Sequence, residues 1–260
     1  MKSHNSKLVC LFFTLFLLGT ANATSLTESL VILRGDDNYP PDEMVVDGKL
    51  TGFHIELIEA VAKQTDIDVR FESVPWKRAQ QMIKNGQGDA ISYISKNNER
   101  SDYAIFLKRN LLSCTDHFLV YHPNHAPGFA FQGQLSDLAG HAIGVQHGYS
   151  YGQQFDDAQH IKKIVFKNYR HMTELLENGR IDLALINPVD YQNLIQQPNF
   201  SELAVLDVPL TTTKNFLAFS KAKKHQKLAE KFARAMSDFR QTEKYRQLVR
   251  KYNKSFVSMP

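Results

Sequence analysis

One helix–stop–strand unit occurs twice in this chain, and that repeat constrains the fold more than any other feature. The first copy lies within Pro75–Phe106, PWKRAQQMIKNGQGDAISYISKNNERSDYAIF; the second is Met172–Asp190, MTELLENGRIDLALINPVD. In each copy a short amphipathic helix runs into Asn-Gly (Asn85-Gly86, Asn178-Gly179), and an Asp then introduces an apolar run (Asp89–Ile94, Asp182–Ile186). Pro75 can open its helix, because the first turn does not need the missing N–H. Glycine can close a helix in the left-handed conformation. A continuous apolar run suits a strand covered on both faces. Two copies imply two similar lobes, and two lobes imply a cleft. The first copy's strand opens into a polar loop ending at Arg100, which reads as exposed. The carboxyl ends of strands are where open α/β sheets bind ligands.

The rest of the chain continues the alternation. Ser25–Arg34 reads as a first strand and Met44–Leu50 as a hairpin turning at Asp47-Gly48. Phe53–Gln64 carries Ile55, Ile58, Val61 and Ala62 at helical spacing, and Val69–Glu72 is a second strand. Ile143–Val145 and His171–Asn178 supply a strand and helix to the second copy. Two amphipathic helices end the chain, marked by Leu228, Phe232, Met236, Phe239 and by Tyr245, Leu248, Val249, Tyr252. The pattern predicts an α/β protein of two lobes, each a mostly parallel sheet with right-handed crossovers and flanking helices. The joins fall near residues 112–122 and 208–218.

Composition narrows the setting. Lys2 and Lys7 precede the apolar run Leu8–Leu18, and Ala21-Asn22-Ala23 is an A-x-A cleavage signal. Residues 1–23 therefore read as a secretory signal peptide cleaved near Ala23, with export to a periplasm. Beyond them only Cys114 remains, so no internal disulfide forms, and a buried small apolar role is expected of it. Residues 221–254 hold twelve Lys/Arg against three Asp/Glu. No aromatic residues alternate with these basics as they would along a single-strand nucleic-acid groove, so a solvated helix face is expected and no nucleic-acid partner. His117, His122 and His125 are the closest histidine group, but their spacing does not suit a metal. Nothing resembles a phosphate loop, a zinc ligand set or a nucleophile motif. The expectation is a binding protein with no cofactor, no metal and no catalysed reaction.

An ordered set of short motifs sharpens this reading. Gly52-Phe53-(x)3-Leu57, Asn85-Gly86-(x)2-Asp89-Ala90, Glu99-Arg100, Gly179-Arg180-Ile181-Asp182, Phe219-Ser220-Lys221 and Lys251-Tyr252 occur in sequence. Together they resemble the family-3 extracellular solute-binding proteins, periplasmic receptors that deliver polar amino acids to ABC importers. The resemblance implies a two-lobed type II periplasmic-binding-protein fold with two hinge segments that closes around its ligand. It implies residues 24–112 and 213–260 in one lobe and 113–212 in the other. It also implies a monomer, a small-molecule ligand (an amino acid or other carboxylate) and an ABC permease in the inner membrane as partner.

The resemblance places the binding site residue by residue. Arg100 falls on the arginine that forks two hydrogen bonds onto the ligand carboxylate. Ser92, Tyr93 and Ser95 fall on polar positions beside it. Tyr39 and Trp76 fall on apolar walls against which a ligand stacks. Gly148, Tyr149 and Ser150 form a second-lobe loop whose backbone N–H groups can meet a carboxylate. Asn187 stands where amino-acid receptors commonly place an aspartate for the ligand ammonium, with Asp190 close by. Two alternatives stay open at this point: a periplasmic enzyme on the same fold, similar to cyclohexadienyl or arogenate dehydratases, and a soluble sensor for a signalling partner.

Overall fold

The computed structural model describes residues 28–197, 200 and 202–254; the signal peptide read over residues 1–23 lies outside them. The elements follow in chain order as β1 (Glu28–Gly35), β2 (Met44–Val46), β3 (Lys49–Thr51), α1 (Phe53–Gln64), β4 (Ile67–Val74) and α2 (Trp76–Lys84). Next come β5 (Ala90–Ser95), α3 (Asn98–Tyr103), β6 (Ala104–Ile105), β7 (Leu111–Tyr121), β8 (Ala142–Gln146), α4 (Gln153–Asp157) and β9 (Lys162–Phe166). The chain continues through α5 (Tyr169–Glu177), β10 (Leu183–Ile186), α6 (Pro188–Ile195), β11 (Ala204–Val205), β12 (Thr211–Ser220), α7 (Gln226–Phe239) and α8 (Glu243–Lys251).

The main sheet follows the path β4-β1-β5-β12-β7-β10-β8-β9. Its two ends are parallel, β4-β1-β5 on one side and β10-β8-β9 on the other. The centre is antiparallel, because β12 pairs with both β5 and β7, and β7 pairs with β10. These two long strands carry the chain between the lobes. Thr211–Phe216 of β12 lie beside Leu111–His117 of β7, while Asn215–Phe219 pair back to β5. Alternation along β7 aims Ser113, Thr115 and His117 inward and leaves Cys114 and Asp116 outward. Cys114 is therefore exposed, beside Lys214 in register, and not the buried apolar residue expected of it.

Apolar burial separates into two groups. One set packs Leu30, Ile32, Leu57, Phe219, Phe232 and Met236 between the sheet and α1, α7 and α8, with Leu33, Ile83, Ile91 and Ala218 on its other face. The second set gathers Leu119, Ile143, Phe155 and Leu185 on one face and Val120, Met172, Leu176 and Ile186 on the other. Each fully buried aliphatic or aromatic side chain contributes about 1.5–3 kcal/mol, so each group can sustain its own lobe. Both repeat copies keep their glycine stops, with Gly86 at φ 72° and Gly179 at φ 63°.

The polar loop expected before Arg100 is instead a helix. The Asn97 side chain caps α3 by accepting from the Arg100 N–H at 2.9 Å. That one cap satisfies an otherwise orphaned donor and turns a polar run helical. Arg100 is consequently buried, at 4% exposure, and not exposed as the sequence suggests.

Gly52 ties the fold to the site. It opens α1 at φ 126°, and a Cβ there would sit 2.3 Å from the Asp42 carbonyl oxygen. Phe53 and His54 donate their N–H groups to the Pro41 and Asp42 carbonyls at 2.9 and 3.0 Å. The helix start thus clamps the segment that carries Glu43. Gly52→Ala is expected to destabilise the protein by about 1–3 kcal/mol through backbone strain, read as a lowered urea midpoint with an unchanged slope.

Candidate ligand-binding cleft

A cleft lies where the two lobes face each other across β7 and β12. From the first lobe it is lined by Tyr39, Glu43, Trp76, Tyr93, Ser95 and Arg100. Tyr149, Ser150 and Asn187 line it from the second, and Thr115, His117, Thr213 and Asn215 of β7 and β12 form its floor.

Arg100 dominates the chemistry. Its Nη1 donates to the Ser95 carbonyl at 2.8 Å and to Ser95 Oγ at 2.6 Å, and its Nη2 donates to the Gly148 carbonyl at 2.8 Å. These acceptors are all uncharged. Burial pushes the guanidinium's pKa down, opposed by Tyr103, Asp156 and Glu99, and an arginine stays charged even so. Its Cζ lies 5.8 Å from the centre of the Trp76 ring. A desolvated cation with only neutral acceptors attracts a small anion strongly.

Gly148 turns its carbonyl to Trp76, Gln80 and Arg100, where the sequence suggested backbone N–H groups. Trp76 Nε1 (3.0 Å), Gln80 Nε2 (3.0 Å) and Arg100 Nη2 (2.8 Å) all donate to that one oxygen. A carbonyl has two lone pairs, so three donors over-subscribe it. A carboxylate oxygen competes well for the charged donor, since charge-assisted bonds are about twice as strong. The Tyr149 N–H is engaged by the Gln146 carbonyl at 3.2 Å and the Tyr151 N–H by Asp156 at 2.9 Å. The Ser150 hydroxyl donates to Asp156 as well.

Aromatic side chains close the cleft. The Tyr39 and Tyr149 hydroxyls hydrogen-bond to each other across the two lobes. Burial raises both phenols above their ordinary pKa, so both remain neutral near pH 7. Tyr93 sits in β5 at φ 55°, opposite a register shift in β12. That backbone costs about 1–3 kcal/mol and puts the ring into the cleft, edge-on to Tyr39 at 5.6 Å and to His54 at 4.8 Å. The Tyr93 hydroxyl reaches Thr115 Oγ1 at 3.4 Å.

Of the residues singled out from the sequence, Tyr39, Trp76, Tyr93, Ser95, Arg100, Tyr149, Ser150 and Asn187 come together as lining. Gly148 meets Arg100 from behind that lining. Ser92 lies fully buried in β5 beside Glu43, away from the lining. Asn187 caps α6: its Oδ1 accepts from the Asp190 N–H at 3.0 Å, and its Nδ2 donates to Asp190 Oδ2 at 2.5 Å. Both ends of the Asn187 amide are therefore held by its own helix.

Sequence reasoning missed a buried polar layer under the cleft. Arg34 Nε meets Glu43 Oε2 at 3.1 Å, with Nη1 on Ser73 and Nη2 on the Asp37 carbonyl. His54 lies 3.5 Å from Glu43 and 2.9 Å from Ser113 Oγ on β7. Burial pushes the Glu43 carboxyl up, but His54, Arg34 and Ser92 outweigh it and hold the pKa below its ordinary value. His117 donates to or accepts from Thr213 at 3.0 Å between β7 and β12. Burial lowers its pKa to about 4, so its ring is neutral near pH 7. The Asn-Tyr-Pro-Pro-Asp-Glu run of residues 38–43 is the available signal for Glu43, since it reads as a loop and binding residues concentrate on loops held by a rigid scaffold.

Comparison with known proteins agrees with the architecture. The model of the bacterial extracellular solute-binding proteins, family 3, matches residues 31–255. The chain is 24% identical over 239 residues to the probable amino-acid-binding protein YxeM of Bacillus subtilis (strain 168), covering 90% of this chain and 88% of that one. It is 21% identical over 257 residues to the arginine-binding extracellular protein ArtP of the same organism, covering 94% of each. Holo ArgBP from T. maritima shares its fold at a TM-score of 0.63 and 18% identity, over 87% of this chain and 96% of that one. Among the described residues no helix is long and apolar enough to cross a membrane. By fold, by the ordered motifs and by the span of the family match, the chain belongs to the bacterial extracellular solute-binding proteins, family 3.

Proposed function

We propose that this protein is a periplasmic receptor that captures an amino acid or related small carboxylate between its lobes and delivers it to an ABC permease in the inner membrane. Residues 24–112 and 213–260 form one lobe and 113–212 the other, after removal of a leader near Ala23. The receptor works as a monomer, binds without catalysing a reaction and closes about β7 and β12. One observation carries the reading: Arg100 is a buried guanidinium facing the interlobe cleft with uncharged oxygens as its partners. The names of the relatives, amino-acid-binding and arginine-binding, support amino acids as the ligand class.

A thermal-shift panel of amino acids and small carboxylates tests it, since a ligand that binds only the folded state raises apparent stability. At least one member is expected to stabilise the protein by several degrees at millimolar concentration. No stabilisation by any member overturns the proposal.

The chain has one tryptophan. Trp76 lines the cleft and donates to the Gly148 carbonyl of the facing loop. Intrinsic emission excited at the indole band is therefore expected to change on ligand addition, saturating with the affinity found by calorimetry. An emission spectrum unmoved by a saturating ligand would place binding elsewhere.

A further inference from the structure

We infer that Gln80 is a positioning residue for ligand release: it latches the lobes together over a bound carboxylate without touching it, and so sets the rate at which the ligand leaves. The inference rests on the receptor reading above and adds to it a residue outside the ligand's own contacts.

The latch is one peptide carbonyl. Gly148 follows β8 in the second lobe, and its oxygen receives donors from two elements of the first. Trp76 Nε1 and Gln80 Nε2 reach it from α2, each at 3.0 Å, and Arg100 Nη2 reaches it from α3 at 2.8 Å. Residues four apart stand on one face of a helix, so α2 presents Trp76 and Gln80 together. The other end of the Gln80 amide fixes its orientation, because Oε1 accepts from Lys77 Nζ at 3.4 Å. Nε2 is thus the end turned to Gly148. Glutamine is mostly a surface residue, yet Gln80 is 7% exposed. It lies behind the cleft lining, to which Trp76 and Arg100 belong.

The facing loop is shaped for this approach. Gly148 has φ 80°, a backbone that glycine adopts without penalty. A Cβ there would fall 2.6 Å from Lys77 Cδ. The missing side chain therefore lets the first turn of α2 close onto the loop.

Ligand occupancy strengthens the latch. The Gly148 carbonyl has two lone pairs and three donors. A ligand carboxylate draws away Arg100, the one charged donor, and leaves Trp76 and Gln80 matched to the two lone pairs. The Gln80 bond is then uncontested, and it exists only while the lobes are together. An interaction made in the closed form alone resists opening, so it acts on dissociation and not on encounter. Tyr39 to Tyr149 and Asn98 to Gln153 also cross between the lobes, so losing Gln80 loosens closure without abolishing it.

Stopped-flow fluorescence of the mature protein, excited at the indole band, tests this with L-arginine and with each other amino acid that stabilises the protein in the panel above. Two variants serve: Gln80→Ala, and the isosteric Gln80→Glu, which keeps the packing and removes the amide N–H groups. Both are expected to speed ligand release about threefold to tenfold, the worth of one neutral hydrogen bond. The association rate should stay within about twofold of wild type, and the urea midpoint should not move. A merely structural role would lower that midpoint and leave release unchanged. Gln80→Asn, whose amide is one methylene too short to reach Gly148, should release ligand as Gln80→Ala does. Release at the wild-type rate in both Gln80→Ala and Gln80→Glu overturns the inference, as does a loss of affinity carried wholly by association. In either case the receptor reading stands and this inference fails alone. If no amino acid or small carboxylate binds, the receptor reading fails and the latch with it.

Discussion

Arg100→Ala is expected to weaken ligand capture at least about 30-fold, measured by calorimetry or by loss of the thermal shift. The guanidinium is 4% exposed and donates to Ser95 and Gly148. Truncating one partner of a buried, hydrogen-bonded charge pair costs about 2–5 kcal/mol or more, which is roughly 30-fold to several thousand-fold in affinity. Arg100→Lys should recover only a small part, because an ammonium cannot fork two parallel bonds onto one carboxylate. The fold should survive either change. Gly148 retains Trp76 and Gln80 as donors, and the Asn97 cap uses the backbone of residue 100. Unchanged affinity in Arg100→Ala would remove the assigned role.

The largest stability effect is expected from Arg34→Ala. Arg34 is 1% exposed and holds Glu43, Ser73 and the Asp37 carbonyl together. Removing one member of a buried ion pair costs about 3–5 kcal/mol, since the other charge stays behind uncompensated. Glu43 would lose its arginine partner and keep His54 at 3.5 Å. The linkage sign follows from its pKa, which the fold holds below the unfolded value. That contribution is present above the unfolded carboxylate pKa and is lost as pH falls through the folded one. Arg34→Ala should therefore lower the urea midpoint sharply at pH 7, and by less at pH 3. Equal losses at both pH values would assign the effect to packing alone. Because Arg34 and Glu43 support the loop of Asp37 and Tyr39, ligand affinity should fall as well.

Local pattern made much of the scaffold legible. Phe53–Gln64 is the helix its spacing implies, and the Asp47-Gly48 turn joins β2 to β3. Gly86 and Gly179 stop helices in both repeat copies. These features depend on neighbours within a turn or two, so periodicity and backbone freedom suffice to find them. Arg100 shows the limit. Its place after a strand was legible, but its helix and its burial were not. The helix depends on one Asn97 cap, and the burial depends on Gly148, 48 residues away in the chain.

The short strands β6, β9 and β11 and the antiparallel centre of the sheet were also outside what pattern could show. They exist through pairing with other strands: β6 with β12, β11 with β7, and β9 with β8. Cys114 belongs with them: its exposure follows from which face of β7 meets the cleft, and that is set by register.

Sequence alone determined that this chain builds two α/β lobes with an arginine at a strand end, because apolar periodicity and glycine stops act locally. Only the tertiary structure decided what the lobes enclose. It set Arg100 against neutral oxygens and placed the Arg34–Glu43–His54 layer beneath the cleft. Charge complementarity depends on distances and desolvation between residues far apart in the chain, and those are properties of the folded surface.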